Sequence, residues 1–215
     1  MTGPFGRYLS VVAAVARKDF RLESRAKRAV PMAAALSLLV VVVFAFAFEG
    51  RDPSGALWVA FVFAGTLSVM ESVGVEGENG ALDGVLLAPI PYSAVYVGKV
   101  VSTTVFVAAV GLFTLAASWF FLGVVPPAGP VTVLVAVVAF SVGFAAVAVI
   151  LASIAVYTQI SALLMPVLLV PLLVPALIAG VELVGGGGAN WLVVLAGYDG
   201  VVFVSGVLVF DELVV

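Results

Sequence analysis

Histidine and cysteine are both absent from this chain of 215 residues. Their absence removes the thiol nucleophile, the disulfide, the Cys/His zinc site and the histidine general base. It also removes the usual protein ligands of haem iron, for which Met32, Met70, Met165 and five tyrosines are weak substitutes. What remains for chemistry is a few carboxyls in apolar surroundings. An ionisable group inside a membrane span is costly and marks a functional position by default. Glu71 lies near the end of an apolar run, where interfacial water hydrates it. Asp199 lies about nine residues into the last apolar run, beside Tyr198 and Gly200. Two placements are open for it. Either it faces the bundle interior and bonds to Tyr198 or a backbone donor, or its span begins later and leaves it near the outer headgroups. Glu49, Asp52 and Glu182 read as solvated. Lys99 lies at an interface and no span holds two acids at helical spacing, which argues against an intramembrane enzyme.

A second concentration of informative residues is EGENGALDGVLLAPIPYSAVYVGK, residues 76–99. Glu76, Glu78 and Asp83 place negative charge at or near the start of a short helix, which suits its dipole. Gly80 lies just ahead of the apolar positions. Leu82, Val85 and Leu86 share one face at i, i+3, i+4. Pro89 and Pro91 stop the helix, and Pro91 can open the next segment. Lys99 stands at the membrane edge. The pattern predicts a two-turn amphipathic helix held between two spans. Its polar side suits a soluble partner, and its leucines suit the bundle or that partner. A connector lying on the headgroups has the same pattern.

These residues need elements to carry them, and composition says which. Hydrophobic residues make up 64% and charged residues 10%, against about half and a quarter in soluble domains. Too few charges exist to cover a water-facing surface. A span needs roughly 20 apolar residues, and the hydropathy pattern places six, at about 30–48, 57–73, 97–122, 131–157, 162–181 and 191–210. The predicted fold is all-α: a six-span membrane domain over 30–215, preceded by a basic segment over 1–29, with a cytoplasmic loop over 74–96. No extramembrane domain of ordinary size fits beside the spans, so an ATP-driven engine would be a separate chain. The net charge of −3 argues against nucleic acid as a partner.

Seven of the nine basic residues lie in the first 28. The positive-inside rule then puts the N-terminus in the cytoplasm. Six spans return the C-terminus there, giving a multi-pass protein of the plasma membrane. Arg7 and the run Leu9–Ala16, ending Ala14-Val15-Ala16, imitate a signal peptide, but the basic block that follows resists translocation. Residues 10–29 read better as an amphipathic helix at the bilayer surface. Arg17, Arg21, Arg25 and Arg28 form one stripe with Lys18 beside it, while Val12, Ala13, Ala16 and Phe20 lie opposite and suit the lipid interface. Glu23 stands four residues before Lys27, the favourable order for an ion pair. The basic face is either simply solvated or part of an elbow helix that packs on a partner.

Pro166, Pro171 and Pro175 each remove a backbone hydrogen bond from the fifth span. This makes it either a flexible element that transmits movement or a static kink shaped for packing. Gly65, Gly74, Gly111 and Gly143 suit close helix approach.

Three segments resemble one family. RKDFRLESRAKRA at 17–29 is similar to the basic segment before the first span of CcmB, the haem exporter protein B family. GALDGVLLAP at 80–89 with Gly98-Lys99 resembles that family's cytoplasmic loop. LLMPVLLVPLLVPALIAG at 163–180 resembles its proline-punctuated fifth span. The likeness runs from about residue 10 to the end, and only the acidic DELVV terminus departs from the longer basic tail of many members.

The resemblance implies an ABC-2-type permease architecture and a half-permease of cytochrome c maturation, forming a homodimer within its complex. It implies a CcmA-like cytoplasmic ATPase, a CcmC-like haem-handling membrane subunit and a CcmE-like haem chaperone as partners, besides the lipid bilayer. It implies an ATPase-coupling role for the 76–99 loop and no enzymatic activity in this chain. No cofactor is expected on the chain itself, with haem and ATP held by partner subunits. Two other readings are a permease of the same type for a drug or lipid, and a non-transporting scaffold.

Overall fold

A computed structural model of the chain describes residues 4–26, 29–47, 54–78, 90–123, 127–158 and 164–214. All of its regular structure among these is helical: α1 Pro4–Ala26, α2 Ala29–Ala47, α3 Ser54–Glu78, α4 Tyr92–Leu122, α5 Pro130–Thr158, α6 Leu164–Val184 and α7 Asn190–Val214. Long apolar runs become helices because lipid offers no partner to a bare N–H or C=O. Five helices are long and apolar enough to cross a membrane, namely α2 and α4 to α7. The second predicted span falls on α3, whose apolar stretch Gly55–Met70 is shorter. Breakers end the elements where expected. Gly123 closes α4 in the left-handed conformation, φ 62°, and Gly186, φ 85°, turns the chain after α6.

α5 is the central helix, packed on α3, α4, α6 and α7. It is also the most enclosed span, with 67% of its apolar window buried against 17% for α7. Trp58, Phe61, Phe140 and Phe144 fill the core between α3 and α5. Their rings lie at 4.9 Å for Trp58–Phe140 and 5.1 Å for Phe61–Phe140. In lipid, helix association depends on close van der Waals fit rather than on escape from water. Glycines provide that fit. A Cβ at Gly111 would stand 2.6 Å from Phe61, and one at Gly180 2.6 Å from Trp58. Gly65 meets Phe144 at 3.0 Å in the same way. Across α2 and α4, Ser37 and Thr114 share a buried hydroxyl contact of 2.6 Å.

The elements differ from the predicted ranges in informative places. α1, Pro4–Ala26, begins before the 10–29 expected and contains the run Leu9–Ala16 that imitates a signal peptide, while 27 and 28 lie outside the described residues. Glu76 and Glu78 fall within α3, beyond its apolar stretch Gly55–Met70, and the short helix predicted around them otherwise lies outside the described residues. α4 starts at Tyr92, which makes 92–96 helical where a loop was expected. Pro91 lies ahead of it in extended backbone (φ −67°, ψ 124°), which is compatible with the proline ring.

Candidate functional site

At one end of the bundle, α1 is clamped to the first half of α4. Val12 and Val15 press against Gly98, where a Cβ would come within 2.8 Å of Val15. One turn further along both helices, the Ser102 hydroxyl donates to Asp19 Oδ2 at 2.8 Å. Lys18 pairs with the other oxygen of Asp19 at 3.2 Å. Phe20 meets Phe106 edge-on at 5.2 Å. The contacts advance together from 15 to 20 and from 98 to 106, so α1 runs alongside α4 in parallel register. This corrects the face assigned from sequence: Val12, Ala16 and Phe20 face protein rather than lipid, and only Ala13 is left exposed. The glycine notch and the serine that decide this are tertiary features, invisible to periodicity. The basic stripe keeps its outward place at Arg17 and Arg21.

Glu23 makes a contact across to α2, and its predicted partner Lys27 lies outside the described residues. Glu23 is 8% exposed, and its Oε1 accepts from the backbone N of Val30 at 3.4 Å, capping the first turn of α2. Arg28 also lies outside the described residues, while Arg25 falls within α1.

Beside this clamp, Tyr96 fills a junction of α4, α5 and α7. It is fully buried, and its hydroxyl donates to Ala146 O at 3.3 Å. Its ring packs at a tilt against Phe203 and Phe210, with centroids at 5.9 and 5.3 Å. Gly206 provides the room, since a Cβ there would overlap the ring and hydroxyl. Sequence reasoning named Gly98 only within the family resemblance and missed Gly180 and Gly206; each is a glycine within an apolar helix, the signal that did single out Gly65, Gly111 and Gly143.

The second polar constellation lies midway along three helices. α7 begins at Asn190, so Asp199 lies about 14 Å along its axis. Of the two placements open to it, the structure takes the interior one. Asp199 Oδ1 is enclosed against Gly143 of α5 and has no hydrogen-bond partner among the described residues. The expected bond to Tyr198 is absent, because that hydroxyl turns to the other neighbour and donates to Leu172 O of α6 at 2.8 Å. Leu172 stands between Pro171 and Pro175, which remain inside a continuous α6. Pro166 is in the first turn of α6, where its missing N–H costs no helical bond. That corrects the expectation of three lost bonds to two.

The remaining predicted residues fall as follows. Glu71 lies within α3. Lys99 is in α4, half-buried one residue after Gly98. Gly80, Leu82, Asp83, Leu86 and Pro89 lie outside the described residues, as does most of the predicted docking helix. No group of three or more acids that could hold a metal ion occurs among the described residues.

Long apolar helices around a central span, with a clamped basic helix at one end and an enclosed acid at mid-length, define a multi-pass α-helical membrane protein. The model of the CcmB protein family matches residues 10–209, and the chain belongs to that family. The CcmB family serves haem transport and cytochrome c biogenesis as the membrane component of an ABC-type system. Neither the curated proteins nor the solved structures include a match to the chain.

Proposed function

We propose that this chain is the membrane subunit of an ABC-type complex in cytochrome c biogenesis. It couples ATP hydrolysis by a separate subunit to haem export or to release of a haem-loaded chaperone. The observation that carries this reading is the family match over residues 10–209. The chemistry of the chain supports a mechanical role. Without histidine or cysteine it is poorly equipped to hold haem iron, so haem rests with a CcmC-like membrane subunit and a CcmE-like chaperone. ATP is bound and cleaved by a CcmA-like ATPase, and this chain has no catalysis of its own. Two copies sit in the plasma membrane with both termini cytoplasmic, an orientation supported by the basic N-terminal block. The segment around Asp83 and Leu86, with Glu76, Glu78, Gly80, Leu82, Pro89 and Lys99, receives the ATPase.

Affinity purification of the full chain from native membranes, with partner identification and an absorption spectrum, tests this. The expected result is an ATPase subunit in the eluate. The chain stripped of partners should show no axially ligated haem. Stoichiometric ligated haem on the chain alone, or a wild-type complex without any ATPase, would contradict the reading.

A further inference from the structure

Tyr96 is the fifth residue of α4, the helix that begins just beyond the loop assigned to ATPase docking. Its side chain touches two other spans at once. The hydroxyl reaches the backbone of α5 at Ala146, and the ring lies on Phe203 and Phe210 of α7 with Gly206 between them. Phe203, Gly206 and Phe210 are spaced i, i+3, i+7 and share one face of α7. Asp199 lies two turns before Gly206 on that face, lodged against Gly143 of α5. The last span is therefore keyed twice. It receives a side chain of α4 at Gly206 and inserts its own into α5 at Gly143. Val15 of α1 belongs to the same buried cluster as Tyr96, so the basic helix braces the start of α4 from its other side.

A junction packed this way has no slack. A close-packed interior transmits a displacement rather than absorbing it, and small shifts at such contacts resolve into discrete rearrangements. We propose that Tyr96 is a positioning residue that carries movement of the start of α4 into α7, and through α7 to the Asp199–Gly143 contact. The inference rests on the coupling reading given above, because that reading is what sets the start of α4 in motion.

The test uses the complete complex in membranes and measures three quantities: ATPase copurification, ATP hydrolysis, and yield of mature c-type cytochrome as the coupled output. Tyr96→Phe keeps the ring in its notch and loses one hydroxyl contact, so output should stay within about twofold of wild type. Tyr96→Leu empties the notch. The ATPase should still copurify and hydrolyse ATP, while output per ATP falls about tenfold, within the usual range of coupling between sites. Gly206→Ala, which pushes the ring out of its seat, should uncouple in the same way as an independent variant. Wild-type output per ATP in both Tyr96→Leu and Gly206→Ala would overturn the proposal. So would a parallel fall in hydrolysis and output, since that is the mark of a merely structural role. Absence of the ATPase from the wild-type complex would instead strike the coupling reading itself, and the inference with it.

Discussion

Asp199 of the last span seats its Oδ1 against the bare Cα of Gly143 in the central span, leaving no space for even a methyl group. The pair sits near the middle of both helices and holds α7 on α5 by shape. Gly143→Ala should therefore force the helices apart and destabilise the protein by about 1–3 kcal/mol, the usual cost of overpacking. Gly197 and Gly200 lie two and one residues from Asp199, yet a Cβ at either meets nothing within 4 Å. Alanine there should shift stability by no more than about 0.5 kcal/mol. Thermal unfolding in detergent of the three single variants checks the contrast.

Tyr198 makes the complementary contact, toward α6. Its hydroxyl supplies a donor to Leu172 O within the stretch bounded by Pro171 and Pro175. Pro171 and Pro175 leave the carbonyls of Val167 and Pro171 without their helical donors, so the bond to Leu172 O is a contact between spans and not a replacement for either lost bond. Tyr198→Phe should cost roughly 0.6 kcal/mol, the average for a hydrogen bond between spans. The same thermal assay reads it, and a loss as large as that of Gly143→Ala would mean the hydroxyl does more than satisfy one carbonyl.

The clamp of α1 on α4 can be loosened at Gly98 or at Asp19. Gly98→Val would collide with Val15 and with the backbone oxygen of Val12. Asp19→Ala would remove the acceptor that Ser102 finds on α1, a charge-assisted bond worth about 1.5–3 kcal/mol, and leave its hydroxyl to the carbonyls of Gly98 and Lys99 in its own helix. Either variant should make the Arg17–Arg21 segment more susceptible to trypsin in sealed inside-out vesicles, with the spans left intact. Arg17→Gln, on the exposed face, should leave the rest of α1 as protected as in the wild-type chain.

The absence of native cysteine makes orientation directly measurable. Ser54→Cys and Asn190→Cys should react with an impermeant thiol reagent added outside intact cells, and Asn79→Cys should not. Outside labelling at position 79 would invert the topology and remove the basis for a cytoplasmic docking loop.

Much of this architecture is legible in the sequence, because lipid leaves apolar runs little choice but to be helices. The spans, the basic stripe of α1 and the tight approach at Gly65, Gly111 and Gly143 all follow from local pattern. What the pattern does not contain is which neighbour an element meets. Val12, Ala16 and Phe20 are as apolar facing lipid as facing α4, and only the Gly98 notch and Ser102 decide between the two. The local spacing offers Lys27 to Glu23 but does not show that the Glu23 carboxylate reaches the backbone N of Val30 in α2. Asp199 could be placed only by knowing that Gly143 of another helix lies opposite. The docking residues Leu82, Asp83 and Leu86 were read from a local motif and a family resemblance, and they lie outside the described residues.

The central claim is that this chain takes up mechanical work from an ATPase through the segment before α4. Asp83→Lys combined with Leu86→Ala tests it most directly. The first change reverses the charge offered to the partner. The second removes an apolar anchor whose loss costs roughly 2–5 kcal/mol in a protein core and less at a partly wet interface. Both positions lie outside the spans predicted from the sequence, so expression and membrane insertion should match wild type. The measurement is the amount of ATPase subunit that copurifies with the tagged chain from native membranes. The account predicts its loss from the double variant. Copurification at the wild-type level would contradict the docking role of this segment and, with it, the proposed route from ATP to α4.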